Sequence, residues 1–308
     1  MSTYAGKEVV TLKKGLNAAF VKAFNNAEDP ADVMPFIMET NSTSNKEDYG
    51  WLGQSPSLTE WIDERKLKSL NEFEYEIPNK DYEATLPVDR NALEDDQLGN
   101  VRVRIDDLAR KARIHPRKLF MEALIAGETE LCYDGQPFFS ASHEEGDSGV
   151  QSNLQTGTGT TLAQLEADID EAEACMLSFK DDTGEPWNEG EVKVGIVCHP
   201  SLKAKFNRLN TLDQINNSSN GMKGRISQIT YSSRLAVKGT AAANDWYISD
   251  ISDGMKAIIK QKRQDPVFNS LEGDSDNGFM RKKYLYGIDY RVGFGYGLWQ
   301  KMIKVKNS

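Results

Sequence analysis

The residues able to do chemistry are few and far apart. Histidine occurs only at His115, His143 and His199, and His115 and His199 each precede a proline, a setting for capping or packing. His143 is followed by Glu144 and Glu145, which makes it the one candidate metal corner. Its spacing is not that of a helical His-Glu-x-x-His zinc site, and it sits in a Gly-, Ser- and Asn-rich stretch that reads as loop. Cys198 beside His199 suggests a thiol nucleophile, but neighbours on a strand point to opposite faces, so the thiol reads as buried. Gly293-Phe-Gly295-Tyr-Gly297 lacks the third glycine and following helix of a phosphate loop. It reads as strand glycines that admit close backbone approach. GxxxxGK[ST] and GxSxG motifs are absent, and the carboxylates fall in charged runs typical of solvated faces. The expectation is a chain without catalytic residues, cofactor or metal, and not an enzyme.

Composition narrows the class further. The 308 residues are 39% hydrophobic, enough for one large or two modest cores. No apolar run approaches the roughly 20 residues that cross a bilayer, and the first fifteen residues lack the apolar centre of a secretory signal. These features lead us to expect a protein kept in a cytosol, with no membrane partner. Cys132, Cys175 and Cys198 form no CxxC pair and read as reduced thiols. A formal net charge of −10 argues against wrapping a phosphate backbone. The charge is uneven. Glu60 to Asp96 carries twelve acidic and five basic residues, whereas Val101 to Ala126 carries Arg102, Arg104, Arg110, Lys111, Arg113, Arg117 and Lys118 against Asp106, Asp107 and Glu122. The two segments read either as solvated faces or as complementary surfaces of neighbouring copies.

The elements that hold these residues follow from periodicity. Val101, Ile105, Leu108, Ala112, Leu119, Ala123 and Ala126 mark one apolar stripe of a long helix, a spine within Asn91 to Gly127. Pro116 interrupts it, so the helix kinks there or a second helix starts there. A short amphipathic helix precedes it within residues 11–27. The Asn- and Ser-rich stretch from Met34 through Trp51 to Trp61 reads as too polar for core. Phe73, Tyr75 and Ile77, then Tyr82, Ala84, Leu86 and Val88, alternate around Pro78-Asn79-Lys80-Asp81 and predict a β-hairpin with Lys80 at its tip. Glu144 to Gly159 reads as a mobile loop or domain boundary. Thr161 and Gln164 form a capping box for a helix with Leu162, Leu165, Ile169, Ala172, Met176 and Phe179 on its seam. A strand over Val192–Cys198, a helix begun by His199-Pro200, and short strands near 226–231, 245–248 and 256–259 complete an α/β unit. Two further strands are expected in 282–306. With the spine before it and strands after it, the α/β unit reads as an insertion into a discontinuous first domain.

This order of parts, an α+β chain, resembles tailed-phage major capsid proteins of the HK97-like fold. Tyr49 to Trp61 (YGWLGQSPSLTEW), Phe73 to Gly99 (FEYEIPNKDYEATLPVDRNALEDDQLG) and Cys132 to His143 (CYDGQPFFSASH) resemble the major head subunit of Mu-like phages and prophages. The resemblance implies an N-terminal arm (1–35), an extended β-hairpin loop (36–92), a peripheral domain carrying the spine helix (93–159 and 260–308) and an inserted axial domain (160–259). It implies self-assembly into pentamers and hexamers of an icosahedral head that encloses double-stranded DNA without sequence-specific binding. Separate scaffold, protease, portal and decoration proteins are the expected partners, the scaffold because only about thirty residues precede the loop. On that basis the acidic loop (Glu72, Glu74, Glu76, Asp81 and Glu83, with Lys80) is expected to lie across the basic spine of a neighbour (Arg102, Arg104, Arg110, Lys111, Arg113, Arg117 and Lys118). An encapsulin-type compartment is the alternative within the fold, and a soluble α/β enzyme is the remoter one.

Overall fold

A 29-residue helix and a 14-residue strand of nearly the same length lie along one another and set the dimensions of the molecule. The computed structural model describes residues 16, 18–27, 30–50, 52, 75–89, 98–188, 190–215, 218–271 and 282–307. After a first helix α1 (18–26), the strands β1 (Ile37–Asn41), β2 (Lys46–Asp48), β3 (Glu76–Pro78) and β4 (Lys80–Asp89) precede the spine helix α2 (Leu98–Ala126). Then come β5 (Leu154–Thr156), α3 (Leu162–Ser178), β6 (Val194–Cys198), α4 (Pro200–Thr211), β7 (Gln214–Ile215), β8 (Ser218–Ser219), β9 (Ile226–Tyr231) and β10 (Trp246–Asp250). The long β11 (Ile258–Leu271), β12 (Lys283–Tyr296) and the closing β13 (Met302–Lys306) end the chain.

Two sheets organise these elements. One runs β1-β11-β12-β4 and the other β5-β13-β10-β6-β9. In the first, β12 is antiparallel to both β11 and β4, and its residues Tyr284, Tyr286, Ile288, Tyr290 and Val292 are buried at period two. In the second, β6 and β9 are parallel and α4 crosses between them, a βαβ unit. The spine follows β12 from one cluster of buried residues to the next. Val101, Ile105, Ala109 and Ala112 pack with Tyr284, Tyr286 and Ile288 and with Leu16 and Phe20 of the first-helix region. Leu119 meets Tyr290 and Val292, and Phe120, Met121 and Leu124 enter the main core with Tyr296, Trp246 and Trp299. Each fully buried Ile, Leu or Phe on this stripe stabilises the fold by about 1.5–3 kcal/mol.

Several local expectations hold. Thr161 and Gln164 make the reciprocal capping box of α3, and His199 caps α4 by accepting the Ser201 N–H at 3.2 Å. Gly295 leaves room for Ile77, whose Cδ1 would lie 2.5 Å from an added Cβ, and a Cβ on Gly297 would fall 2.1 Å from the Lys256 carbonyl oxygen. These strand glycines therefore serve close approach.

Other expectations are corrected. The hairpin of Phe73–Val88 does not form, because only Asn79 separates β3 from β4, too little chain to reverse. Instead β3 pairs with β2 and β4 pairs with β12. The Pro-Asn signal holds a neighbouring turn: the Asn79 amide donates to Ser42 Oγ and to the Ser44 carbonyl, each at 2.8 Å. Phe73 and the strand before Tyr75 lie outside the described residues, as do Trp51, Trp61 and Asn91 to Gln97. The polar stretch after Met34 does contribute core residues: Tyr49 and Leu52 are buried with Phe36. Residues 144–159 are not a loose polar loop but a packed one. Glu145, Ser148 and Asn153 are buried there because each has a hydrogen-bonding partner. The alternation after Lys282 belongs to one long strand, β12, and β13 joins the other sheet beside β10.

No second helix starts at Pro116, which is inside one continuous helix. Its first half is held by the sheet and α1, and its second half by the main core, so tertiary contacts offset the missing N–H bond to Ala112. Pro116→Ala restores that donor. It is expected to raise the stability of the free subunit by about 1–3 kcal/mol in urea unfolding, and an unchanged or lower midpoint contradicts this account.

Candidate assembly surface

The acidic and basic residues singled out by the sequence lie on two different faces. Glu72 and Glu74 lie outside the described residues. Glu76 is exposed on β3 and pairs with Lys46 at 2.6 Å, and Lys80 opens β4 opposite Val292, not at a hairpin tip. Asp81 meets Arg291 at 2.5 Å, while Glu83 accepts from the Thr85 hydroxyl at 2.9 Å. Along β4 the even-numbered Tyr82, Ala84, Leu86 and Val88 turn inward, so Asp81, Glu83, Thr85 and Asp89 share the solvent side. This strand is an edge of its sheet, with one row of backbone groups available for pairing.

The residues just after β2 and just before β3 are hydrogen-bonded to the first sheet. Gln261, buried on β11, donates to the Ile77 carbonyl at 3.1 Å and accepts from the Tyr49 hydroxyl at 3.0 Å. The Tyr296 N–H donates to the Tyr75 hydroxyl at 2.7 Å. Burial pushes the Tyr75 phenol well above its usual value, so it stays neutral and keeps both hydrogen-bonding roles. Ile77 fits against Gly295, so Tyr49, Tyr75 and Ile77 are tied to β11 and β12.

The seven basic residues of the spine divide into three groups. Arg117 reaches Asp32 at 3.0 Å and the Tyr231 carbonyl at 2.5 Å, and Arg113 stacks over the Phe24 ring at 5.1 Å, so both hold the chain together internally. Arg110 and Lys111 both contact Asp107 at 2.7 Å, and Lys118 meets Glu122 at 3.6 Å, on their own helix. Hydrogen bonds from Lys111 and then Arg110 hold Asp107 below the usual carboxylate value. Arg102 and Arg104 are exposed and have no ion pair among the described residues. The spine packs on the inward face of β4, so in one chain the sheet separates Asp81 and Glu83 from the helix.

At the middle of the spine, His115 joins three elements. Its ring lies 4.8 Å from Tyr82 of β4 and 5.7 Å from Tyr290 of β12, and its Nδ1 is hydrogen-bonded to the Tyr290 hydroxyl. Burial, and then the positive charge of Lys118, hold the imidazole below its usual value. The other proposed histidine site changes its composition. His143 is fully buried and turns toward Asp134 at 2.5 Å, whereas Glu144 is exposed and Glu145 bonds Tyr133, Trp299 and Gln300. Sequence reasoning missed Asp134 as a partner, although the Asp134-Gly135 turn signal between Cys132 and His143 marks a reversal that brings them together.

A spine helix laid on a long-stranded sheet, together with a second sheet that carries an α/β crossover, defines a protein of the HK97-like capsid class. The capsid subunit in the procapsid of bacteriophage JBD30 shares this fold, with a TM-score of 0.55 and 25% identity over 97% of this chain and 76% of that one. Residues 9–166 and 227–308 match the family model of the Mu-like prophage major head subunit gpT, and the chain belongs to that family. It is 28% identical over 300 residues to the Mu-like prophage FluMu major head subunit of Haemophilus influenzae, covering 96% of this chain and 74% of that protein. It is 27% identical over 298 residues to the major capsid protein of Escherichia phage Mu, covering 96% and 73%. The protein is a major capsid protein of a phage head, structural and not enzymatic, and it associates with its own copies in the virion shell. The stretch without a family match, 167–226, holds most of α3 together with β6 and α4.

His115 gives the spine contact a pH dependence of defined sign. Because its folded value lies below 6.5, the unfolded chain takes up protons first, and the fold loses stability as pH falls from 6.5 through the folded value. Unfolding midpoints are expected to drop between pH 7 and 5, with a shallower slope for His115→Gln. An identical slope contradicts the assignment.

Proposed function

We propose that the subunit forms pentamers and hexamers that close an icosahedral head around double-stranded DNA, and that neighbours dock through complementary charge. The acidic loop of one copy lies across the exposed arginines of the next copy's spine. One observation carries this reading: Arg102 and Arg104 lack an ion pair among the described residues, while Asp81 and Glu83 face solvent beyond the intervening sheet. Arg110, Lys111 and Lys118 add to the same field even with Asp107 and Glu122 beside them, whereas Arg113 and Arg117 serve the fold. Glu72, Glu74, Glu76 and Lys80 belong to the same loop.

In this reading residues 1–35 are the arm, 36–92 the extended loop, 93–159 and 260–308 the peripheral domain, and 160–259 the axial domain, whose sheet β5 and β13 complete. The net charge of −10 suits a container whose wall does not hold its nucleic-acid contents. Scaffold, protease and portal proteins are the partners such a head requires. Similarity to phage head subunits favours a DNA-filled head over an encapsulin-type compartment.

The double variant Arg102→Glu/Arg104→Glu leaves every intramolecular contact described above in place. Its circular dichroism should match the wild type, while shells seen by electron microscopy and sedimentation should be lost or reduced at least tenfold in yield. Wild-type assembly should weaken as salt rises from about 0.1 to 1 M, because the screening length falls from about 10 to 3 Å. Undiminished, salt-independent assembly of the variant overturns the charge-docking reading. Wild-type particles limited to small oligomers overturn the shell geometry itself.

A further inference from the structure

We propose that Cys132, Asp134 and His143 form a closed binding site for one zinc-type divalent ion. The turn after the spine builds half of it. The Cys132 N–H donates to the Gln136 carbonyl at 2.8 Å, the Gly135 N–H donates to the Cys132 carbonyl at 3.1 Å, and Gly135 has a left-handed φ of 78°. This tight loop puts the Cys132 Sγ 2.9 Å from Asp134 Oδ1. The other half comes from a second loop, in which His143 and Gln151 exchange backbone hydrogen bonds at 3.0 and 2.8 Å. His143 Nδ1 thereby lies 2.5 Å from Asp134 Oδ2, and one donor atom from each of the three residues lies within 4.8 Å of the others. The His143 and Asp134 side chains are fully buried, and Cys132 is buried with them.

The orientation of His143 carries the assignment. The Asn153 amide is fixed because its Nδ2 donates to the Phe138 carbonyl at 2.7 Å, and its Oδ1 accepts the Ser140 N–H at 2.9 Å. The same Oδ1 faces His143 Nε2 at 3.2 Å, so Nε2 carries a hydrogen and Nδ1 is the atom turned into the cluster. A histidine held by an acceptor on one ring nitrogen, with the other aimed at a thiol and a carboxylate, is the arrangement of a metal ligand with its supporting hydrogen bond. The proton shared by Nδ1 and Asp134 Oδ2 holds the place that a metal ion takes once that proton leaves. The ring plane is fixed by stacking on Trp299, with centroids 4.2 Å apart and planes 2° from parallel, and Trp299 in turn donates to Glu145 at 2.7 Å.

The donor set of one sulfur, one nitrogen and one carboxylate oxygen suits zinc and its tetrahedral analogues, not magnesium or calcium. Bonds of about 2.0–2.3 Å require donors about 3.3–3.8 Å apart, so the Asp134 carboxylate must draw back from Sγ and Nδ1 as the ion enters, and water completes the fourth position. On binding, the Cys132 thiol proton and the proton between Nδ1 and Asp134 pass to solvent, with no redox change. The ion would link the turn after the spine to the loop that Asn153 and Trp299 fix on the main core.

Cobalt(II) reads this site directly. Titrated into the chelator-treated full chain, it should give a thiolate-to-cobalt charge-transfer band and tetrahedral d–d bands that saturate at one ion per subunit, and zinc should displace it. Cys132→Ser keeps a hydroxyl donor for Asp134 and should remove the charge-transfer band, whereas Cys175→Ser should keep it. Zinc should also raise the wild-type melting temperature, and a chelator should reverse the rise. No thiolate band in the wild type, a band that survives Cys132→Ser, or a melting temperature indifferent to zinc and chelator each overturns the site.

Discussion

The fold depends on the match between one helical stripe and one strand face. The spine spans about 43 Å at 1.5 Å per residue, and the 14 residues of β12 span about 46 Å at 3.3 Å per residue. Helical spacing and alternation therefore bring buried residues together along their whole length: Val101 to Ala112 with Tyr284 to Ile288, Leu119 with Tyr290 and Val292, and the Phe120–Leu124 turn with the core around Tyr296. Because β12 also carries β4 on one side and β11 on the other, the helix, the edge strand and the strand leading from the α/β unit share one reference line. A structural subunit needs this stiffness, because small errors in one copy accumulate around a closed shell.

Buried polar residues secure the joints that apolar packing leaves unspecified. Lys301 reaches Asp250 and Asp253 at 2.8 Å, with the first pair almost fully buried. Burial works to raise Asp250, but the Lys301 hydrogen bond and charge hold it below its usual value. Gln261 bonds both Tyr49 and Ile77, and Asp168 accepts the Thr158 N–H and hydroxyl to tie the loop before α3 to that helix. Such pairs add little net stability, yet removing one partner strands the other, so they select one geometry among many compact ones. Among the described residues, Arg102 and Arg104 of the spine stay exposed without an ion pair.

Local signals in the sequence were reliable where their physics is local. The Thr161–Gln164 capping box, the His199 cap and the α3 seam each rest on residues within one or two turns. The strand glycines were legible as sites of close approach, but that Ile77 would occupy one of them was not. The Pro78-Asn79 signal misled because Asn79 bonds a turn more than thirty residues earlier in the chain. The charged residues of the candidate surface were all visible in the sequence. Which of them hold the fold and which remain exposed depended on Phe24, Asp32 and Tyr231, none of them near the spine in sequence.

By itself the sequence determined the helices, most strands, the absence of a recognisable catalytic motif and the kinship with phage head subunits, because periodicity, caps and ordered local motifs need no distant partner. Only the tertiary structure decided strand pairing, the continuity of the spine through Pro116 and the fate of the polar residues between 132 and 153. A buried Asp, His or Asn is stable only when a partner supplied by another segment satisfies it, and that partner is set by the three-dimensional path of the chain. For the same reason Cys132, Asp134 and His143 read as turn and loop residues in one dimension and as a single closed cluster in three.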